Sequence, residues 1–351
     1  MGGFSLKPMY YRASASAGTV TIDGTGFGTK STVAPFFYPD WTGLAQGDNW
    51  ADAGWDVMGG TRGNNVTYSQ IRTDVTLYGS PVWRTRVEPG VGETFTHFGK
   101  NLSAANGVTV MYLRRGDYIS NTGGSSGDGQ IKSTRIGYSG FTGSGDGGDQ
   151  YGTRDGQFGS SHFIGNGAIG TSDGSYISEH YWDADVGGGG EQTILTDEEG
   201  VTSWPPAGDG NWHWYYDYVE MGTSQGASNA KHYLRVDDVW MVQRSNLPVY
   251  NSGGFTYVQP TPGYANAFAD NGTTWNWFHA FVYIDTSRAF AALGNASTFA
   301  ACTRLIPLNL ATWSDTRVTG DLNGLSVPSG FDWAYVMTES GSINSSGLSY
   351  T

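Results

Sequence analysis

The stretch Trp212–Trp240, WHWYYDYVEMGTSQGASNAKHYLRVDDVW, decides the reading of this chain. It reads as two long strands joined by a small-residue turn, because Gly222, Gly226 and the Ser, Gln and Asn residues around them interrupt a period-two pattern. Side chains alternate across a strand, so Trp212, Trp214, Tyr216, Tyr218 and Glu220 share one face. His213, Tyr215, Asp217, Val219 and Met221 share the other. The second run divides into Leu234, Val236, Asp238 and Trp240 against Tyr233, Arg235, Asp237 and Val239. Neither face is purely apolar. One therefore fills a core. The other is a broad aromatic surface with a few carboxylates, the chemistry of a carbohydrate-binding sheet or of an inter-domain contact.

The rest of the chain has the same character. Strand patterns recur at Gln70–Leu77, Val82–Val87, Thr94–His97, Thr109–Arg114, Ile131–Tyr138, His162–Ile169, Tyr176–Asp183, Thr193–Leu195 and Trp275–Ile284. Gly, Ser, Asp and Asn-rich loops separate them, and no helical periodicity intervenes. The run Trp275–Ile284 is apolar on both faces and reads as a central strand. Glycine (54 residues) is at about twice ordinary usage and charged side chains are sparse, as in many-turned all-β proteins. The fold class is therefore all-β: a large two-sheet jelly-roll sandwich plus a small β-sandwich.

Nineteen Lys and Arg against 32 Asp and Glu give a net charge of −13, which opposes binding to nucleic acid or to an anionic membrane. No window approaches the about 18 apolar residues of a membrane span. The start, MGGFSLKPMYYRASASAG, has no apolar signal-peptide core. Cys302 is the single cysteine, so no intrachain disulfide forms. A surface-like composition without a leader points to a virion component or another extracellular protein.

Two resemblances organise the domains. GTVTIDGTGFG at 18–28 resembles the opening strands of immunoglobulin-like IPT/TIG domains. The closing strands of that family are matched by ATWSDTRVTGDLNGLSVPSGFDWAYVMTESGSINSSGLSYT at 311–351. The resemblance implies an Ig-like domain split into 1–32 and 286–351 around an insert at 33–285, an ordinary arrangement because the ends of a domain lie close together. Within the insert, Gln130–Arg135, Trp212–Glu220 and Arg235–Trp240 resemble strands of the concanavalin A-like lectin/glucanase superfamily. That resemblance implies a jelly roll and, as an expectation, carbohydrate binding.

Glucanases of this superfamily need carboxylates at alternate positions of one strand. Here only Asp183 and Asp185 share a face, since Asp217 and Glu220 fall on opposite sides and Asp197–Glu199 lies in a loop. Polysaccharide lyases of jelly-roll type use a Tyr or His base with cationic neighbours. Tyr112 with Arg114, and His180 with Trp182, have the right alternation but not the signature strands of such lyases. The six histidines, His97, His162, His180, His213, His232 and His279, are scattered without ligand spacing. The loop GSGDGGD at 143–149 resembles a single calcium-binding turn, with Asp146 and Asp149 as oxygen ligands for Ca²⁺. No catalytic set and no other cofactor is expected.

The expected function is non-enzymatic: a virion or surface adhesion protein whose lectin-like domain binds cell-surface glycan through Trp182, Trp214, Tyr216, Tyr218, Glu220 and His180. Its expected partners are that polysaccharide and other virion subunits, in a homo-oligomer. The alternatives are a purely architectural capsid-decoration or tail protein and a polysaccharide-degrading lyase or glycosidase.

Overall fold

Every regular element among the described residues is a strand. The computed structural model describes residues 8–16, 18–59, 69–87, 97–102, 110–121, 129–137, 157–164, 176–182, 191–195, 211–224, 227–247, 257–259, 264–266 and 275–350.

A seven-stranded antiparallel sheet runs, in spatial order, β14 (Val239–Leu247), β13 (Ala230–Val236), β12 (Trp212–Glu220), β7 (Val110–Asn121), β17 (Trp275–Asp285), β5 (Ser80–Val87) and β4 (Ser69–Leu77). An eight-stranded sheet runs β11 (Glu191–Leu195), β10 (Tyr176–Trp182), β9 (Gln157–Ile164), β8 (Gly129–Gly137), β15 (Tyr257–Gln259), β6 (His97–Asn101) and β3 (Val57–Gly59), with β16 (Tyr264–Asn266) also paired to β8. A small two-sheet unit comes from both ends of the chain. One sheet is β1 (Met9–Ser16), β2 (Thr19–Thr25), β21 (Arg317–Asp321) and β20 (Asn309–Trp313). The other is β19 (Leu305–Pro307), β18 (Phe290–Gly294), β22 (Trp333–Met337) and β23 (Leu348–Ser349).

The local chemistry explains the small unit. Val20 and Ile22 of β2 alternate inward between Thr19, Thr21 and Asp23, and pair with Gly320 and Val318 of β21. Gly24 is required by close approach, because a Cβ there would stand 2.2 Å from the Met9 carbonyl oxygen and 2.4 Å from the Phe27 ring. Gly28 turns the chain away with φ +68°.

β17 leads straight into β18, and a buried ion pair holds the junction. Lys30 Nζ donates to Asp285 Oδ2 at 2.8 Å, both side chains being within 1% of complete burial. Tyr283 donates its hydroxyl to the same oxygen at 2.8 Å. Burial raises the Asp285 carboxyl above its ordinary range in spite of Lys30, so these hydrogen bonds are what make a carboxylate tolerable there.

Two cores result, one on each side of the seven-stranded sheet. On one side Ile71, Trp83, Val219, Val282 and Ile284 pack with Val258 of the eight-stranded sheet, and Phe37, Trp41 and Trp55 of the 33–56 segment close the end. On the other side Trp214, Tyr216, Tyr218, Phe281 and Tyr283 pack directly on β18 and β22 of the small unit. A single continuous apolar cluster therefore spans the large and small units.

The strands differ from the sequence expectation in three places. The run from Tyr233 to Trp240 is not one strand: Asp237 and Asp238 make a tight turn between β13 and β14, with Asp237 at φ +52°. β9 starts at Gln157, ahead of the expected His162, and β6 runs to Asn101, past the expected end at His97, while residues 94–96 and 165–169 of the expected strands lie outside the described residues. Loops rich in Gly and Ser give few cues to where a strand starts. β17 does lie inside its sheet, between β7 and β5.

Candidate functional site

The aromatic face of β12 begins with register. Tyr216 stands opposite Arg235 of β13 and Tyr218 opposite Tyr233, so rings and a guanidinium collect on one side of three adjacent strands. The bend at Leu234/Arg235 places Trp240 opposite Arg235, on the same side as Tyr233.

Most of this face is occupied. Trp214, Tyr216 and Tyr218 are 4%, 2% and 2% exposed. Arg235 Nη2 donates to the carbonyl oxygens of Phe299, Ala300 and Cys302 at 3.1, 3.0 and 2.9 Å. The Tyr216 hydroxyl meets Met337 Sδ at 3.8 Å, and the Trp214 ring lies 5.8 Å from that of Phe281. Arg288 sits 4.5 Å above the Tyr218 ring. The expectation that Trp214, Tyr216 and Tyr218 stack on sugar is therefore corrected: all three are buried, Tyr216 against Met337, Tyr218 under Arg288 and Trp214 beside Phe281 of its own sheet. Of the two chemistries an aromatic sheet allows, the buried part of this one is a packing contact within the chain.

The rim of the same face is different. Tyr233 and Trp240 are half-buried and meet edge to face, their centroids 6.4 Å apart. Tyr233 stacks on Tyr218 at 5.7 Å, and exposed Gln243 stands opposite Tyr233 on β14. Glu220 closes the strip, accepting from the Tyr218 hydroxyl at 2.5 Å and from Lys231 Nζ at 2.8 Å. Burial alone would raise its carboxyl, but the Lys231 and Tyr218 hydrogen bonds outweigh that and hold it below the ordinary range. Tyr218 is pushed up, by burial first and then by Glu220. Rings beside an amide, a cation and a carboxylate are what a sugar needs: an apolar surface for its C–H face and polar groups to fix its hydroxyls.

The opposite face of β12 carries short-range polar pairs. His232 Nε2 lies 3.0 Å from Asp217 Oδ1, both side chains buried. His213 Nδ1 lies 2.8 Å from Asp237 Oδ2, and the Trp214 amide donates to the other oxygen at 2.9 Å. Each carboxylate is bound to a histidine, which is not the facing pair that glycoside hydrolysis uses.

The other candidates from the sequence divide in two. His180 and Trp182 lie on β10 of the eight-stranded sheet, so they do not share a sheet with Trp214, Tyr216 and Tyr218 and the six residues form no single surface. The backbone positions of Tyr112 and Arg114 stand opposite Tyr218 and Tyr216. Asp146, Asp149, Asp183, Asp185 and Asp197–Glu199 lie outside the described residues. Among the described residues no three His, Cys, Asp or Glu side chains converge as metal ligands, and no helix is long and apolar enough to cross a membrane. Sequence reasoning left Tyr233 and Trp240 out of the glycan-binding candidates and put them on opposite faces, because the turn that unites them carries no glycine.

No family model and no curated protein matches the chain. Solved structures are similar to it at low identity. The alginate lyase Aly36B is 10% identical, over 72% of this chain and 98% of its own, with a TM-score of 0.49. An endo-β-1,4-glucuronan lyase from the fungus Trichoderma reesei is 13% identical, over 72% and 96%, with a TM-score of 0.46. The cellulose-induced protein Cip1 is 12% identical, over 72% and 97%, with a TM-score of 0.40.

Proposed function

We propose that this protein is a non-enzymatic glycan-binding protein of a virion or extracellular surface, and that it contacts sugar at the rim strip of Tyr233, Trp240, Gln243, Lys231 and Glu220. The single observation that carries this reading is the half-exposed Tyr233–Trp240 pair, beside an ion pair whose carboxylate stays charged. The small unit, read as immunoglobulin-like, serves as the mount. The bonds that Arg235 of the large sheet gives to its carbonyls, and its Arg288 over the Tyr218 ring, fix the sheet that presents the strip. One strip of this size binds weakly, and many copies on one surface supply avidity.

A purely architectural role is the second reading. It is favoured by the burial of Trp214, Tyr216 and Tyr218, which assigns most of the aromatic excess to internal packing.

A glycan array probed with the multivalent protein separates the two. Binding to a defined glycan class, weakened at least about tenfold by Tyr233→Ala and by Trp240→Ala with the fold intact, supports the proposal. An array with no binding, or binding that ignores both substitutions, leaves the architectural reading standing.

A further inference from the structure

We infer that Lys30 and Asp285 become joined by an intrachain amide bond, formed by the folded chain between Lys30 Nζ and Asp285 Cγ with loss of one water. Contact and isolation carry the assignment. Lys30 Nζ lies 2.8 Å from Asp285 Oδ2, and the two side chains are 0% and 1% exposed. The Thr32 carbonyl oxygen accepts from the same Nζ at 2.5 Å, which holds it against the carboxyl. Groups fixed in contact react with effective molarities of up to about 10⁵–10⁸ M, which favours here an amide that would hydrolyse between free molecules. Burial acts in the same direction, because two charges withdrawn from water are costly and condensation replaces them by a neutral amide. The Asp285 carboxyl is accordingly raised above its ordinary range, by burial first, against the pull of Lys30.

The two carboxyl oxygens have different surroundings, and each suits one part of the reaction. Oδ1 accepts from two backbone amides, Thr286 at 2.8 Å and Ser287 at 3.3 Å, which stabilise negative charge developing on that oxygen. Oδ2 accepts from Lys30 and, at 2.8 Å, from the Tyr283 hydroxyl, a group placed to hand it a proton. One proton first passes from the ammonium to Oδ2, leaving an amine and a carboxylic acid. The Nζ lone pair then attacks Cγ, the Nζ–Cγ bond forms, and Oδ1 takes the negative charge under the two amides. Nζ gives up a second proton, which reaches Oδ2 through the Tyr283 hydroxyl as that hydroxyl accepts one proton and donates another. The Cγ–Oδ2 bond breaks and Oδ2 leaves as water, so the condensation consumes no co-reactant. Lys30 precedes, and Asp285 ends, the stretch that supplies both large sheets, β3 to β17. The bond therefore closes the neck of that stretch, and tension between the two chain ends crosses the neck without loading the large sheets.

The inference is independent of the glycan strip. Its test is the intact mass of the denatured full chain, followed by a tryptic map. The wild type should be lighter than its sequence mass by one water. Trypsin should fail to cut after Lys30 and should release one branched peptide in which residues 13–62 and 245–288 are joined. Lys30→Arg keeps a cation beside Asp285 but cannot form the amide, and it should show the full sequence mass. Tyr283→Phe keeps the ring and removes the proton relay, so the cross-linked fraction of freshly made chain should fall at least about tenfold. The decision on the bond rests on the wild type, which needs no variant to fold. A folded wild type of full sequence mass, cut normally after Lys30, overturns the inference. So does a loss of water that persists in Lys30→Arg, which would place the dehydration elsewhere in the chain.

Discussion

The two faces of the seven-stranded sheet handle polarity in opposite ways. On the covered face it resides in long side chains whose polar ends reach another unit: Arg235 to three carbonyls near Phe299, Tyr216 to Met337. On the inner face it resides in short pairs closed within neighbouring strands, Asp217 with His232 and Asp237 with His213. The first arrangement joins units, because each bond crosses from sheet to partner. The second satisfies buried groups locally and lets Val219, Val282 and Ile284 make the sandwich core around them. Alternation along one strand thus separates assembly from internal packing.

Substitutions can break this contrast. Tyr216→Ala removes a fully buried ring from the join and should cost about 4 kcal/mol, read from urea unfolding. Arg235→Met leaves three carbonyls without their donor and should cost about 3 kcal/mol, with faster proteolysis near Phe299 as its signature. Asp217→Asn keeps the shape of the inner face and weakens one local pair, so about 2 kcal/mol is expected, with no change in proteolysis of the small unit.

The rim gives the smallest effect. Glu220→Gln should cost below about 1 kcal/mol, since its ion pair is partly exposed. Its carboxyl is held below the ordinary range, so its contribution is present above about pH 4.3, the unfolded value, and is lost as pH falls through the lower folded value. Urea midpoints of wild type and Glu220→Gln should therefore differ at pH 7 and converge near pH 3. A difference that persists at pH 3 would show that Glu220 acts through packing instead.

Much of this architecture is legible in the sequence, and the failures have physical causes. The period-two pattern of WHWYYDYVE identifies β12 and its two faces, and Val20–Ile22 identifies β2, because alternation is a local property. What covers a face is not local. Nothing near Tyr216 announces Met337, more than a hundred residues away, so burial there could not be told from exposure. The β13–β14 turn was hidden because Asp237 adopts φ +52° in place of a glycine, its carboxylate held by His213 and the Trp214 amide. That missed turn reversed the face of Trp240 and concealed the Tyr233–Trp240 pair.

The central claim, that the aromatic face joins the two units into one cooperative body, is tested most directly by differential scanning calorimetry of wild type and Tyr216→Ala. A single transition that contains both units and moves as a whole in Tyr216→Ala is the predicted result. Two separable transitions, with Tyr216→Ala altering neither, would contradict it.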